Sequence, residues 1–70
     1  MSNNKDLKKL GQAIKAARLN EKISQEELAA KVNVDRTYIS LLERGMRNPS
    51  VLTVITISRA LNTNLFRFLD

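Results

Sequence analysis

Arg36, Thr37 and Ser40 lie within five consecutive positions and, with Leu41 and Arg44, share one side of a helix when each residue is stepped by about 100°. The arginine is a forked donor that matches the O6 and N7 acceptors of guanine. The two hydroxyls donate or accept, and leucine offers a surface for a thymine methyl. Such a set suits the edges of base pairs in a major groove. The bland alternative is an ordinary solvated helix face, but such a face more often carries Lys and Glu in i,i+4 pairs.

Other chemistry is poorly supplied. The chain of 70 residues has no cysteine and no histidine, so disulfides, thiolate or imidazole metal sites and His-based proton transfer are excluded. No nucleophile and base pair is discernible, and the reading is of a protein that is not an enzyme. A formal charge of +5 favours a polyanionic partner. The basic residues are spread over every helix, which disfavours a membrane-surface helix. No apolar run approaches the ~20 residues of a membrane span, and the start MSNNKDLKK lacks an apolar signal stretch, so a cytoplasmic location is expected. No cofactor or small-molecule ligand is implied.

The elements that must hold those side chains are all helical. Two glycines and one proline, with few aromatics, leave little room for strands. Five helices are expected in one domain spanning residues 1–70, with residues 1–3 as a mobile tip. The first covers residues 4–20, because Leu7, Leu10, Ile14 and Ala17 form a stripe. Ser24, with Glu27 three residues on, is a capping box opening the second, whose inner face is Leu28, Ala29 and Val32. Asn33 occupies a left-handed corner. Asp35 caps the third helix, which stops at Gly45 and turns Tyr38, Ile39 and Leu42 to the core. Pro49 forbids helix at Asn48, Ser50 caps a fourth helix over residues 51–61, and a final turn or two covers residues 65–69.

Two charged residues fall on inner faces. Arg18 lies in the apolar stripe of the first helix and Glu43 follows Leu42, so a buried or half-buried ion pair between them is expected. Gln25 stands in the first turn of the second helix, where free amides attract phosphate, although an ordinary solvated residue would look the same. Arg47 and Asn48 lie in a stiff loop suited to phosphate contact, and Asn48 could equally serve the turn. The fourth helix is more apolar than one face requires: Leu52 and Ile55, with Leu65 and Phe66, make a patch suited to a symmetric dimer over residues 50–69. Folding back of the last helix over that patch is the alternative.

The string SQEELAAKVNVDRTYISLLERGMRNPS, with Ser-Gln-Glu-Glu-Leu-Ala, Ile-Ser-x-x-Glu-Arg-Gly and a Pro-Ser helix start, resembles the lambda and 434 repressor type of helix-turn-helix protein. Asp-Arg-Thr-Tyr-Ile-Ser followed by Glu-Arg-Gly and Arg-Asn-Pro looks most like the controller proteins of restriction-modification systems. The resemblance implies a lambda-repressor-like fold with its helix-turn-helix at residues 24–44. It also implies base reading by Arg36 and Thr37 with Ser40 beside them, and backbone contacts near Gln25, Tyr38, Arg44, Arg47 and Asn48. Arg18 and Glu43 match an interhelical salt bridge, and Leu52, Ile55, Leu65 and Phe66 inherit dimerisation. The expected partners are a palindromic operator in double-stranded DNA, with half-sites ~10 base pairs apart, a second copy of the chain, and RNA polymerase if Glu26 and Glu27 present an acidic patch. General phage-type or chromosomal repressors, and antitoxin-like regulators that also bind a protein, share most of the string.

Overall fold

The computed structural model describes residues 4–69, and side-chain surroundings through Arg67; the expected mobile tip at residues 1–3 lies outside them. Four α-helices follow one another: α1 (Asn4–Asn20), α2 (Gln25–Val32), α3 (Arg36–Glu43) and α4 (Val51–Ala60). Leu65–Leu69, expected as a fifth helix, is a 3-10 segment. Its tight winding follows from its start, where the Asn64 side chain accepts the Phe66 amide at 3.0 Å and the Asn64 carbonyl accepts the Arg67 amide at 3.2 Å. That i→i+3 pattern holds for short runs only.

The helix starts are encoded locally. Ser24 Oγ accepts the Glu27 amide at 3.0 Å and the Glu27 carboxylate accepts the Ser24 amide at 2.9 Å, completing the capping box. Ser50 Oγ likewise accepts the Thr53 amide at 3.1 Å. Asp35 differs from expectation: it holds the cap position of α3, but its side chain makes no capping bond. Its main-chain carbonyl still receives the first α3 amides, from Tyr38 and Ile39.

All four α-helices end alike, on a left-handed residue followed by an amide that reaches back five positions. The left-handed residues are Lys22, Asn33, Gly45 and Asn62. The closing bonds are Ile23 to Arg18, Val34 to Ala29, Met46 to Leu41 and Thr63 to Ser58, each main-chain N–H to carbonyl. Asparagine tolerates this region; lysine gains nothing there, so Lys22 is held by its surroundings.

The core is Leu10 and Ile14 of α1, Leu28 and Ala29 of α2, Ile39 and Leu42 of α3, Val54 and Ile57 of α4, then Leu61 and Leu65. Each fully buried leucine or isoleucine contributes roughly 1.5–3 kcal/mol relative to exposure, and among the described residues these positions form the buried core. Gly11 lets α1 approach α3. A Cβ there would run into the Leu42 carbonyl oxygen and come within 2.7 Å of that of Glu43. No local pattern in the sequence signals that contact. Leu65, expected in a surface patch, is instead 2% exposed and belongs to this core, its amide held by Ser58 Oγ at 3.1 Å.

Candidate nucleic-acid interface

The interface is built on a clamp. Arg18 Nε donates to Glu43 Oε2 at 2.6 Å and Arg18 Nη2 to Glu43 Oε1 at 3.1 Å, both buried, while Arg18 Nη1 donates to the Ile23 carbonyl at 2.9 Å. Gln25 Nε2 completes the cluster by donating to Glu43 Oε1 at 3.0 Å. The end of α1, the loop after it, the start of α2 and the end of α3 are thereby tied through one carboxylate. The hydrogen bond it donates to Glu43 raises the pKa of the Arg18 guanidinium above its ordinary value, with burial opposing and Coulombic attraction adding.

Gln25, expected either to meet a phosphate or to be an ordinary solvated first-turn residue, has a protein partner. It is half-buried and committed to Glu43 through one of its two amide hydrogens. On α3, Arg36 and Thr37 are exposed, whereas Ser40 and Leu41 are half-buried. Thus the helix offers its N-terminal turn most freely. Arg44 caps the end of α3 and is exposed, as are Arg47 and Asn48 in the loop that follows. The Arg47 guanidinium lies 5.1 Å above the centre of the Tyr38 ring. Tyr38 is half-buried against the core, so its outer face steadies a cation beside the first turn of α3.

Lys8 joins the basic residues of this face only through the fold. The α1 main chain passes so close to Gly45 that a Cβ there would lie 3.0 Å from the Lys8 nitrogen and α-carbon. That brings an exposed lysine of α1 to the loop bearing Arg44 and Arg47. Lys8 lies off the α1 stripe of Leu7, Leu10, Ile14 and Ala17, and nothing local in the sequence assigns its neighbour.

Leu52 is 75% exposed and Val51 is also exposed, with Ile55 and Phe66 half-buried. A groove beside Leu52 is lined by Val32, Val34, Thr53, Thr56 and Ile57. Among the described residues no three metal-ligating side chains converge, and no helix is long and apolar enough to cross a membrane.

A short capped helix braced by a second, with an exposed Arg-Thr start, defines a helix-turn-helix. The chain belongs to the helix-turn-helix family, whose sequence model matches residues 14–68. It is 43% identical over 61 residues to the control protein C.BamHI of Bacillus amyloliquefaciens, covering 86% of this chain and 75% of that one. Over 52 residues it is 42% identical to the immunity repressor protein of Bacillus phage phi105, covering 74% of this chain but only 36% of the repressor. Among solved structures it superposes on the restriction-modification controller protein C.AhdI of Aeromonas hydrophila with a TM-score of 0.82 and 35% identity, over 90% of this chain and 96% of that one. The controller protein C.Esp1396I, solved as a tetramer with its natural 35 base-pair operator, matches with a TM-score of 0.79 and 39% identity, over 91% and 84%.

Proposed function

We propose that this protein is a sequence-specific DNA-binding transcriptional regulator of the restriction-modification controller type, acting as a homodimer on a palindromic operator. The observation that carries the reading is the exposed Arg36-Thr37 start of α3, on a helix tied to α2 by the Gln25–Glu43 bond and to α1 by the Arg18–Glu43 pair. In this reading Arg36 and Thr37 enter the major groove with Ser40 at its margin. Arg44, Arg47, Asn48 and Lys8 line the flanking phosphates, and Gln25 anchors the start of α2. That the similar controller protein C.Esp1396I is solved in complex with its operator supports DNA binding.

Dimerisation uses Leu52, Val51, Ile55 and Phe66; Leu65 is not part of that surface, being spent on the protomer core. Concentration-dependent occupation of the operator then sets output, and the operator's place relative to the promoter decides activation or repression. The likeness to a phage immunity repressor supports pure repression as a second reading. For polymerase contact only Glu26 remains free on α2, because the Glu27 carboxylate is engaged with Ser24.

The test is selection of an operator from a randomised duplex pool, followed by binding of single-base variants to the parent and to Arg36→Ala. Arg36→Ala is expected to lose about 1–3 kcal/mol of discrimination at one base pair. An equal loss on every sequence would make Arg36 a phosphate contact, and failure to enrich any sequence would remove the regulator reading.

A further inference from the structure

Glu43 is a carboxylate on the side of the molecule assigned to a polyanion, a placement that electrostatics alone would oppose. Its charge is matched by Arg18, which donates to both carboxylate oxygens. The third bond it accepts, from Gln25 Nε2 at 3.0 Å, has no bearing on that neutralisation. A carboxylate accepts and never donates, so this bond fixes which end of the Gln25 amide faces inward. Among the described residues the Gln25 amide makes no second hydrogen bond to the protein. A glutamine side chain loses substantial rotamer freedom when ordered; here the ordering is done before any ligand arrives.

We propose that Glu43 is a positioning residue for DNA: it holds the Gln25 amide so that its remaining N–H meets a backbone phosphate at the start of α2, while Arg18 cancels the repulsion its carboxylate would exert. The proposal rests on the DNA-binding reading and adds a role for a residue that touches no nucleotide. The clamp therefore has two outputs, helix orientation and a preset phosphate donor. Losing the second need not entail losing the first.

The experiment is a double-mutant cycle on a fluorescein-labelled random-sequence 20-base-pair duplex at low salt. Such a probe reads phosphate contacts without needing the operator. All proteins are compared at a temperature where circular dichroism shows each fully folded. Gln25→Ala is expected to weaken binding roughly tenfold, the scale of one hydrogen bond to a charged group. Glu43→Gln should weaken it similarly in the parent and change little in the Gln25→Ala background.

Side-chain amide NMR supplies the readout that a merely structural role would not move, because the chain has only two glutamines and Gln12 is an exposed control. The Gln25 amide should be rigid in the parent and become as mobile as that of Gln12 in Glu43→Gln. If Glu43→Gln unfolds, Arg18→Met with Glu43→Met removes the acceptor while keeping the volume filled, and the same cycle is run on that pair. Additive losses in the cycle, an unaffected Gln25→Ala, or a Gln25 amide as mobile as Gln12 in the parent would overturn the proposal. Absence of any salt-dependent duplex binding by the parent would instead overturn the DNA-binding reading beneath it.

Discussion

At Gly11 two opposing effects meet in one methyl group. Alanine in a helix interior is favoured over glycine by roughly 0.5–1 kcal/mol, and by propensity alone Gly11→Ala would stabilise α1. The new Cβ, however, would strike the carbonyl oxygens of Leu42 and Glu43, which are main-chain atoms of a packed helix and have no rotamer to yield. Overpacking of this kind costs typically 1–3 kcal/mol, and against a rigid backbone the upper end applies. Gly11→Ala should therefore lower stability by about 2 kcal/mol, measured by urea titration; a gain would show that α1 can slide on α3. Lys22 carries the opposite expectation. It sits at a φ of 60° where glycine has no steric penalty, so Lys22→Gly should raise stability by roughly 0.5–1 kcal/mol despite its more flexible unfolded chain. At this scale the legible residues were those with local partners. Ser24 finds Glu27 and Ser50 finds Thr53 within one turn, and Asn33 is recognisable because its own side chain tolerates the corner. Gly11 and Lys8 were illegible because the groups that give them meaning come from the far end of α3.

Between elements, the Arg18–Glu43 pair sets how α1 and α3 meet, and its consequence is asymmetric. Glu43→Ala leaves the Arg18 guanidinium buried without its partner and Gln25 without its acceptor, and should lower stability by about 3 kcal/mol. Arg18→Met with Glu43→Met should recover most of that loss, since a filled apolar volume is often as stable as a buried pair. Thermal melts of the three proteins give the comparison, and a double variant no better than Glu43→Ala would show that directional bonds, not burial, hold the helices. Arg18 also sets a pH expectation. Its pKa is raised on folding, so the stability it contributes is fully present below the unfolded value and lost only as pH climbs through the folded one. Both lie at the strongly alkaline extreme, and the melting temperature should show no loss due to this pair between pH 7 and 10. The pair was readable from sequence because two charges fell inside apolar stripes. The last element was not: periodicity cannot distinguish an α turn from the 3-10 segment that Asn64 initiates, nor reveal that Leu65 folds inward to Ser58.

For the whole molecule, the question is what a domain of 70 residues does with an exposed leucine. A core of this size supplies only ~3–5 kcal/mol, and neither disulfide nor His and Cys metal site is available to add to it. In the homodimer reading, association adds to it, because binding of a second copy to the folded state alone stabilises it by mass action. Leu52 is the discriminating position. Ile55 is half-buried, so an aspartate there would damage the protomer and the interface together, whereas Leu52 at 75% exposure contributes little to its own fold. Leu52→Asp should therefore sediment as a monomer and keep its helical circular dichroism. The parent's melting temperature should rise with protein concentration, and that of Leu52→Asp should not. On a two-site operator the variant should bind each half-site independently, shifting half-occupancy to higher concentration. A Leu52→Asp protein that sediments as the parent does would place the two-fold elsewhere, and with it the spacing of the half-sites that α3 can reach.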